Sequence, residues 1–258
     1  MKLAQITLRT LLAGLLIGGA YAAPAPVQPT SSALTPAQTK QVEQIVHDYL
    51  LQNPNILIEM SQKLQTQRVA QMEQQAQTAI KQHAHSIFSN VNSPVVGNPN
   101  GNINLVEFLD YQCGHCKSMA AVVDQLMKNN PNLRVVFKEL PIFGENSQWA
   151  AKAALASEKQ GKYSAFHNAL LAAKDPLSPD AILKIAQSVG LDTKQLQADM
   201  QSKAIEQELQ DNVKLAQEIG IMGTPAFILA NRNGNTFSYV PGAIPLDALQ
   251  AKLAQLQQ

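Results

Sequence analysis

The sequence predicts an α/β domain whose sheet is interrupted by a long helical block, with a helical segment in front of it. Three observations carry that prediction. Residues 103–112 form an apolar run that reads as a buried strand, and Cys113-Gly114-His115-Cys116 follows directly, with Met119, Val122, Val123, Leu126 and Met127 then recurring at helical spacing. Residues 133–138 read as a second strand, so two strands flank a helix, a βαβ unit with a parallel pair. Residues 146–220 carry only helix signals, and then come an apolar strand at 224–229, a turn at 231–234 and a return strand at 235–240.

The chain has 258 residues, is 45% hydrophobic and carries a formal net charge of +1. That suits one globular domain plus an accessory segment and leaves no basic footprint for nucleic acid. Residues 1–22 read as a cleavable secretory signal. Lys2 and Arg9 supply positive charge, residues 11–17 an apolar core too short to span a bilayer, and Ala20-Tyr21-Ala22 the cleavage site. Residues 23–34 are rich in Pro, Ala, Ser and Thr and read as a flexible leader.

Thr35-Pro36-Ala37-Gln38 predicts a capped helix start, and Val42, Ile45, Val46, Tyr49 and Leu50 mark one face of that helix. Asn53-Pro54 breaks it. A second, Gln-rich helix is predicted over about 56–87, with a thin apolar stripe of Leu57, Met60, Leu64, Met72, Ala76 and Ile80 interrupted by Arg68. So narrow a stripe suits pairing with another copy, so residues 35–90 are read as an oligomerisation region, here of a homodimer. The alternative is a helix lying along its own domain. His83 and His85 read as solvated. The Asn-, Pro- and Gly-containing stretch 89–101 marks a boundary, which places the main domain at 91–258 with its helical insertion at about 146–220. Within that block Trp149 reads as a core residue and His167 as a surface one. Residues 245–256 close the chain as a helix with Leu246, Leu249 and Leu253 on one face.

Cys113 and Cys116 are the only cysteines. A sulfur at a helix start meets unpaired N–H groups and the positive end of the helix dipole, which favour a thiolate. Cys116, one turn in, is placed to attack a mixed disulfide formed at Cys113. A structural zinc site would need four ligands, and there is neither a second cysteine pair nor a cluster among the five histidines, so no metal is expected. A lone pair in an exported chain points to chemistry rather than stapling.

These features resemble the thioredoxin superfamily and, within it, the DsbA family of exported thiol–disulfide oxidoreductases. The resemblance is carried by Glu107-Phe108 in the first strand, by Cys113-Gly114-His115-Cys116, and by Gly223-Thr224-Pro225 before a later strand. It covers about 91–258 and implies a thioredoxin fold with an inserted helical domain. The helices at 35–90 bring the chain nearer to oligomeric members with amino-terminal assembly regions, notably the Com-type proteins. The resemblance implies Cys113 as nucleophile, helped by His115, with Cys116 resolving, and a redox-active Cys113–Cys116 disulfide in place of any cofactor. It makes Glu107 and Lys138 a buried pair relaying protons to Cys116. Pro225 matches the family's cis-proline and Thr224 aligns an extended substrate, with Gly114 on the same substrate side. The implied partners are reduced or misfolded exported proteins and a membrane quinone-linked thiol oxidase, or a membrane thiol reductant. The implied setting is the periplasm, extending to the outer membrane or cell surface. An isomerase or reductase, and a non-catalytic chaperone or metal-binding module, are the competing readings.

Overall fold

The computed structural model describes residues 34–256, so the expected signal segment and all but the last leader residue lie outside the described residues. The described chain falls into two compact units that part between Glu59 and Met60, within the second helix. The first holds α1 (Pro36–Gln52) and the opening turns of α2 (Asn55–Gln82). Thr35 caps α1 reciprocally: its hydroxyl accepts from the Gln38 N–H at 3.3 Å, and the Gln38 side chain accepts from the Thr35 N–H at 2.9 Å. Asn53 ends the helix, its side-chain amide donating to the Tyr49 carbonyl at 2.8 Å. No residue of α1 is buried, and Val42, Ile45, Val46, Tyr49 and Leu50 are all exposed.

The second unit holds a five-stranded sheet in the order β1-β3-β2-β4-β5. Its strands are β1 (Val95–Gly97), β2 (Ile103–Leu109), β3 (Leu133–Glu139), β4 (Ala226–Asn231) and β5 (Phe237–Val240). Only β2 and β3 run parallel, joined through α4 (Gly114–Asn129); the other pairings are antiparallel. Between β3 and β4 comes the helical block: α5 (Glu145–Ser157), α6 (Tyr163–Ala172), α7 (Pro179–Ser188), α8 (Thr193–Asp199) and α9 (Lys203–Ile219). The closing helix is α10 (Leu246–Gln255), and α3 (Ala84–Phe88) precedes the sheet.

Every residue of β2 is buried, because helices cover both faces of the sheet. The period-2 alternation sorts them. Leu105 and Leu109 join the core formed with α4, the helical block and α10, while Val106 and Phe108 join a second core with the end of α2, α3 and α9. That alternation decides which side chains reach the cysteines.

Five expectations are corrected here. The boundary near residue 90 is wrong in kind, because Ala76, Ala79, Ile80, Ile87 and Phe88 are buried in the second core; the far end of α2 lies on its own domain. The predicted continuous helix to residue 87 stops at Gln82 and restarts as α3. Val95–Gly97, read as part of a linker, pairs with β3 as an edge strand. His167 is 3% exposed rather than on the surface, and Trp149 is only half-buried against the core.

Candidate active site at the start of α4

Cys113 is the N-cap of α4, and the first-turn amides that follow it have no partner within the helix. β2 delivers the chain to this point, and Asp110 turns it. The buried Asp110 carboxylate accepts from the Gln112 N–H at 2.7 Å and the Ser147 hydroxyl at 2.8 Å on one oxygen. Its other oxygen accepts from the Ile142 and Phe143 N–H groups at 2.7 and 3.1 Å. A fully occupied carboxylate thus ties the cysteine loop to the entrance of α5. Lys117, one residue past Cys116, donates to the Ala173 carbonyl at 2.8 Å and ties α4 to the end of α6.

Both cysteines are free thiols. Cys113 keeps 5% of its surface, and Cys116 is closed off at 0%. The Cys113 thiol donates to the Thr224 carbonyl at 3.1 Å, and the Thr224–Pro225 peptide bond is cis. Sequence-distant residues therefore meet here: the loop before β4 faces the start of α4. Beside Thr224 and Pro225 runs an apolar groove whose walls include Val69, Met72, Met222 and Tyr239. Gly114 and His115 are exposed at the mouth, and a Cβ at Gly114 would meet nothing.

Burial pushes the Cys116 thiol far above the ordinary thiol range, helped by the nearby charges of Glu107 and Cys113 and opposed by a backbone hydrogen bond from Asp110. As a leaving group Cys116 therefore needs a proton. Glu107 is 3% exposed, and burial, then the neighbouring Glu139 and Cys113, raise its carboxyl to about 8. It lines a small cavity between α4 and α6 with Asp124, Phe137, His167 and Asn168.

Lys138 is not its partner. Glu107 pairs in register with Phe137, and Lys138 with Phe108, so the lysine points to the opposite face. There its ammonium donates to the Ser93 hydroxyl at 2.7 Å and lies 3.7 Å from Glu208. Ser93 and Asn90 also bond Glu208, at 2.7 and 2.8 Å, so this buried ion pair pins the segment before β1 to α9. Lys138 also lines a polar cavity away from the sulfurs. Burial lowers the Lys138 pKa and Glu208 partly restores it.

Of the residues singled out from sequence, Cys113, Cys116, Glu107, Thr224, Pro225, Gly114 and His115 come together, and Lys138 does not. Sequence reasoning missed Asp110, Tyr111, Glu139, Tyr163 and His167. The Tyr111 and Tyr163 hydroxyls each donate to one oxygen of Glu139 at 2.8 Å, and His167 Nδ1 lies 2.9 Å from the Tyr111 oxygen. A charged or polar residue near the end of each apolar strand was the available signal for Asp110 and Glu139. Nothing local marked the other three.

The family model of the DsbA-like thioredoxin domain matches residues 104–254, and that of the copper resistance protein ScsC N-terminal domain matches 38–71. A thioredoxin-like oxidoreductase from Silicibacter pomeroyi is 40% identical; the match covers 67% of this chain and 96% of that one, with a TM-score of 0.64. BcfH of Salmonella enterica Typhimurium is 32% identical over 86% of this chain and 97% of its own, with a TM-score of 0.72. The thiol:disulfide interchange protein DsbA of Bordetella pertussis is 27% identical over 150 residues, 56% of this chain and 71% of that protein. Against the Na(+)/H(+) antiporter NhaA 3 of Salinispora tropica the match spans half of this chain but only 20% of the antiporter. The sheet, the helical block and the cysteine pair all lie within or beside the matched stretch, and the chain belongs to the DsbA-like thioredoxin family.

Proposed function

We propose that the protein is a thiol–disulfide oxidoreductase that introduces disulfides into reduced exported proteins. One observation carries the reading: Cys113, at the head of α4, donates to the backbone of the loop that presents Thr224 and Pro225, with Cys116 buried behind it. The chemistry balances with these residues alone. A substrate thiolate attacks Cys113 in the oxidised enzyme, forming a mixed disulfide, and Cys116 leaves as a thiolate that takes a proton from Glu107. A second substrate thiolate then attacks the substrate sulfur of the mixed disulfide, making the substrate disulfide and releasing Cys113 as a thiolate. Two electrons reach the enzyme. A membrane thiol oxidase linked to quinone would remove them; a membrane thiol donor would instead hold the pair reduced for isomerisation.

An extended polypeptide fits the surface around Thr224, because main-chain pairing there is indifferent to sequence and the adjoining groove is apolar. No helix among the described residues is long and apolar enough to cross a membrane, which accords with work in the periplasm.

Isomerisation is the second reading, supported by the uncovered apolar residues of α1 and of the first half of α2, Leu57, Met60 and Leu64 among them. Such stripes are covered by a second copy in an assembled protein, here a homodimer, and paired active sites would hold a misfolded client between them. Cys113→Ser should abolish oxidation of a reduced model substrate, and Cys116→Ser should accumulate mixed disulfides. Normal turnover by either variant removes the assignment. The thiol state in cells separates the roles: mostly oxidised for an oxidase, mostly reduced for an isomerase.

A further inference from the structure

Glu139 lies on the same face of the sheet as Glu107. β2 and β3 pair Glu107 with Phe137 and Leu109 with Glu139, so the two carboxyls are diagonal neighbours on one face of the sheet. Glu139 is 0% exposed, and one of its oxygens has no hydrogen-bond partner. The other accepts both tyrosine hydroxyls. Tyr111 has one hydroxyl hydrogen, so donating it to Glu139 leaves its oxygen to accept from Nδ1–H of His167, which burial keeps neutral. The His167 ring packs on Phe137 at 4.2 Å between centroids and lines the cavity that Glu107 also lines. One continuous buried cluster thus runs from Glu139 to the acid beneath Cys116.

The two carboxyls are not equivalent. Glu139 has two O–H donors, which favour its charged form, whereas burial and like charge alone act on Glu107. Two buried carboxyls this close ionise as a pair, and the member with hydrogen-bond donors takes the charge. We propose that Glu139, held by Tyr111 and Tyr163, is a positioning residue that carries the charge of this pair and keeps the shared proton on Glu107, ready for the Cys116 thiolate. The inference rests on the oxidoreductase reading. The groups facing the pair are Asp110 and Tyr111 on the cysteine loop, Cys113, Cys116 and Asp124 on or beside α4, and Tyr163 and His167 on α6; Glu208 on α9 acts on Glu139 from the opposite face, beside Lys138. Asp110 and Glu208 add negative charge near Glu139, and Lys138 faces the other way.

Stopped-flow reduction of the oxidised protein by a small dithiol, followed from pH 5 to 9, tests this. The arm that depends on protonated Glu107 should move to lower pH by about 1 unit or more in Glu139→Gln, which keeps an acceptor for both tyrosines. Tyr163→Phe, which removes one donor from Glu139, weakens its hold on the charge and lets more of the shared proton onto it, so the arm should move to lower pH here too, by less than in Glu139→Gln. In a Glu107→Gln background, Glu139→Gln should change nothing further. A shift that persists in that background, or no shift at all, overturns the proposal. If Glu139→Gln does not fold, infrared titration of the wild-type carboxyl bands decides: two coupled steps support the pair, and two independent single-site titrations overturn it. Failure of the underlying reading looks different, since the wild type would then show no exchange at any pH.

Discussion

Cys113 and Cys116 are two residues apart and differ in surroundings. Cys113 retains a little surface beside the Thr224 carbonyl, and Cys116 has none. Alkylation of the reduced native protein should therefore modify Cys113 first and leave Cys116 protected until unfolding; equal labelling would show that α4 does not bury the second sulfur. Glu107 is raised by burial to about 8 from an ordinary 4.5, so its contribution to folded-state stability is whole below about pH 4.5 and is lost as pH rises through about 8. His167 runs the other way. Burial lowers it from 6.5 to about 3, so its contribution is present above about 6.5 and lost as pH falls through about 3. Urea midpoints should peak at about pH 5–6 between those limbs. Glu107→Gln should flatten the alkaline limb, worth about 1.4 kcal/mol per unit of displaced pKa. Lys138→Met should cost stability without moving the pH dependence of thiol exchange, because its partners are Ser93 and Glu208.

At the scale of elements, the sheet depends on connections that the strands do not supply. Asp110 joins the end of β2 to the approach to α5 through four donors. Asp110→Ala would leave two or more of those donors unpaired in a buried site, at about 1–3 kcal/mol each. The expected result is a thermal midpoint lowered by several degrees together with slower exchange, since the same loop sets Cys113; an unchanged midpoint would mean the loop holds its shape without the carboxylate. The strands at 103–109 and 133–139 were legible because Ile, Leu, Val and Phe dominate them. β1 was not, because three residues between Pro94 and Asn98 carry no periodicity of their own and exist as a strand only through pairing with β3.

For the whole molecule, the place where the catalytic unit begins has a measurable consequence. A fragment starting at residue 91 would lack Ile80, Ile87 and Phe88, which are 0%, 0% and 6% exposed. At about 1.5–3 kcal/mol for each such side chain, the loss is on the order of 5 kcal/mol, comparable to the entire stability of many domains. The 60–258 fragment should fold and exchange thiols, whereas 91–258 should be marginal or aggregate. Equal urea midpoints for the two would show that the end of α2 contributes nothing to the core. Sedimentation of the mature chain should give an oligomer, and removal of residues 35–59 should give a smaller species that retains thiol oxidation but loses isomerisation. A monomeric mature chain would leave the exposed stripe of α1 without a partner.

The chemistry of this protein was written locally. Two cysteines at a helix start, the capping box at Thr35, the proline after Thr224 and the largely apolar central strands are each encoded within a few neighbouring residues, so sequence alone determined the dithiol, the family and the order of the central strands and the long helices. What surrounds the sulfurs was decided only in three dimensions. Strand register sent Glu107 to one face and Lys138 to the other, and the packing of α6 on β3 buried His167 against Phe137 and brought Tyr163 to Glu139. A side chain's face depends on which residue lies opposite it across the ladder, and its burial depends on which helix covers that face. Neither partner is adjacent in the chain, so neither could be read from it.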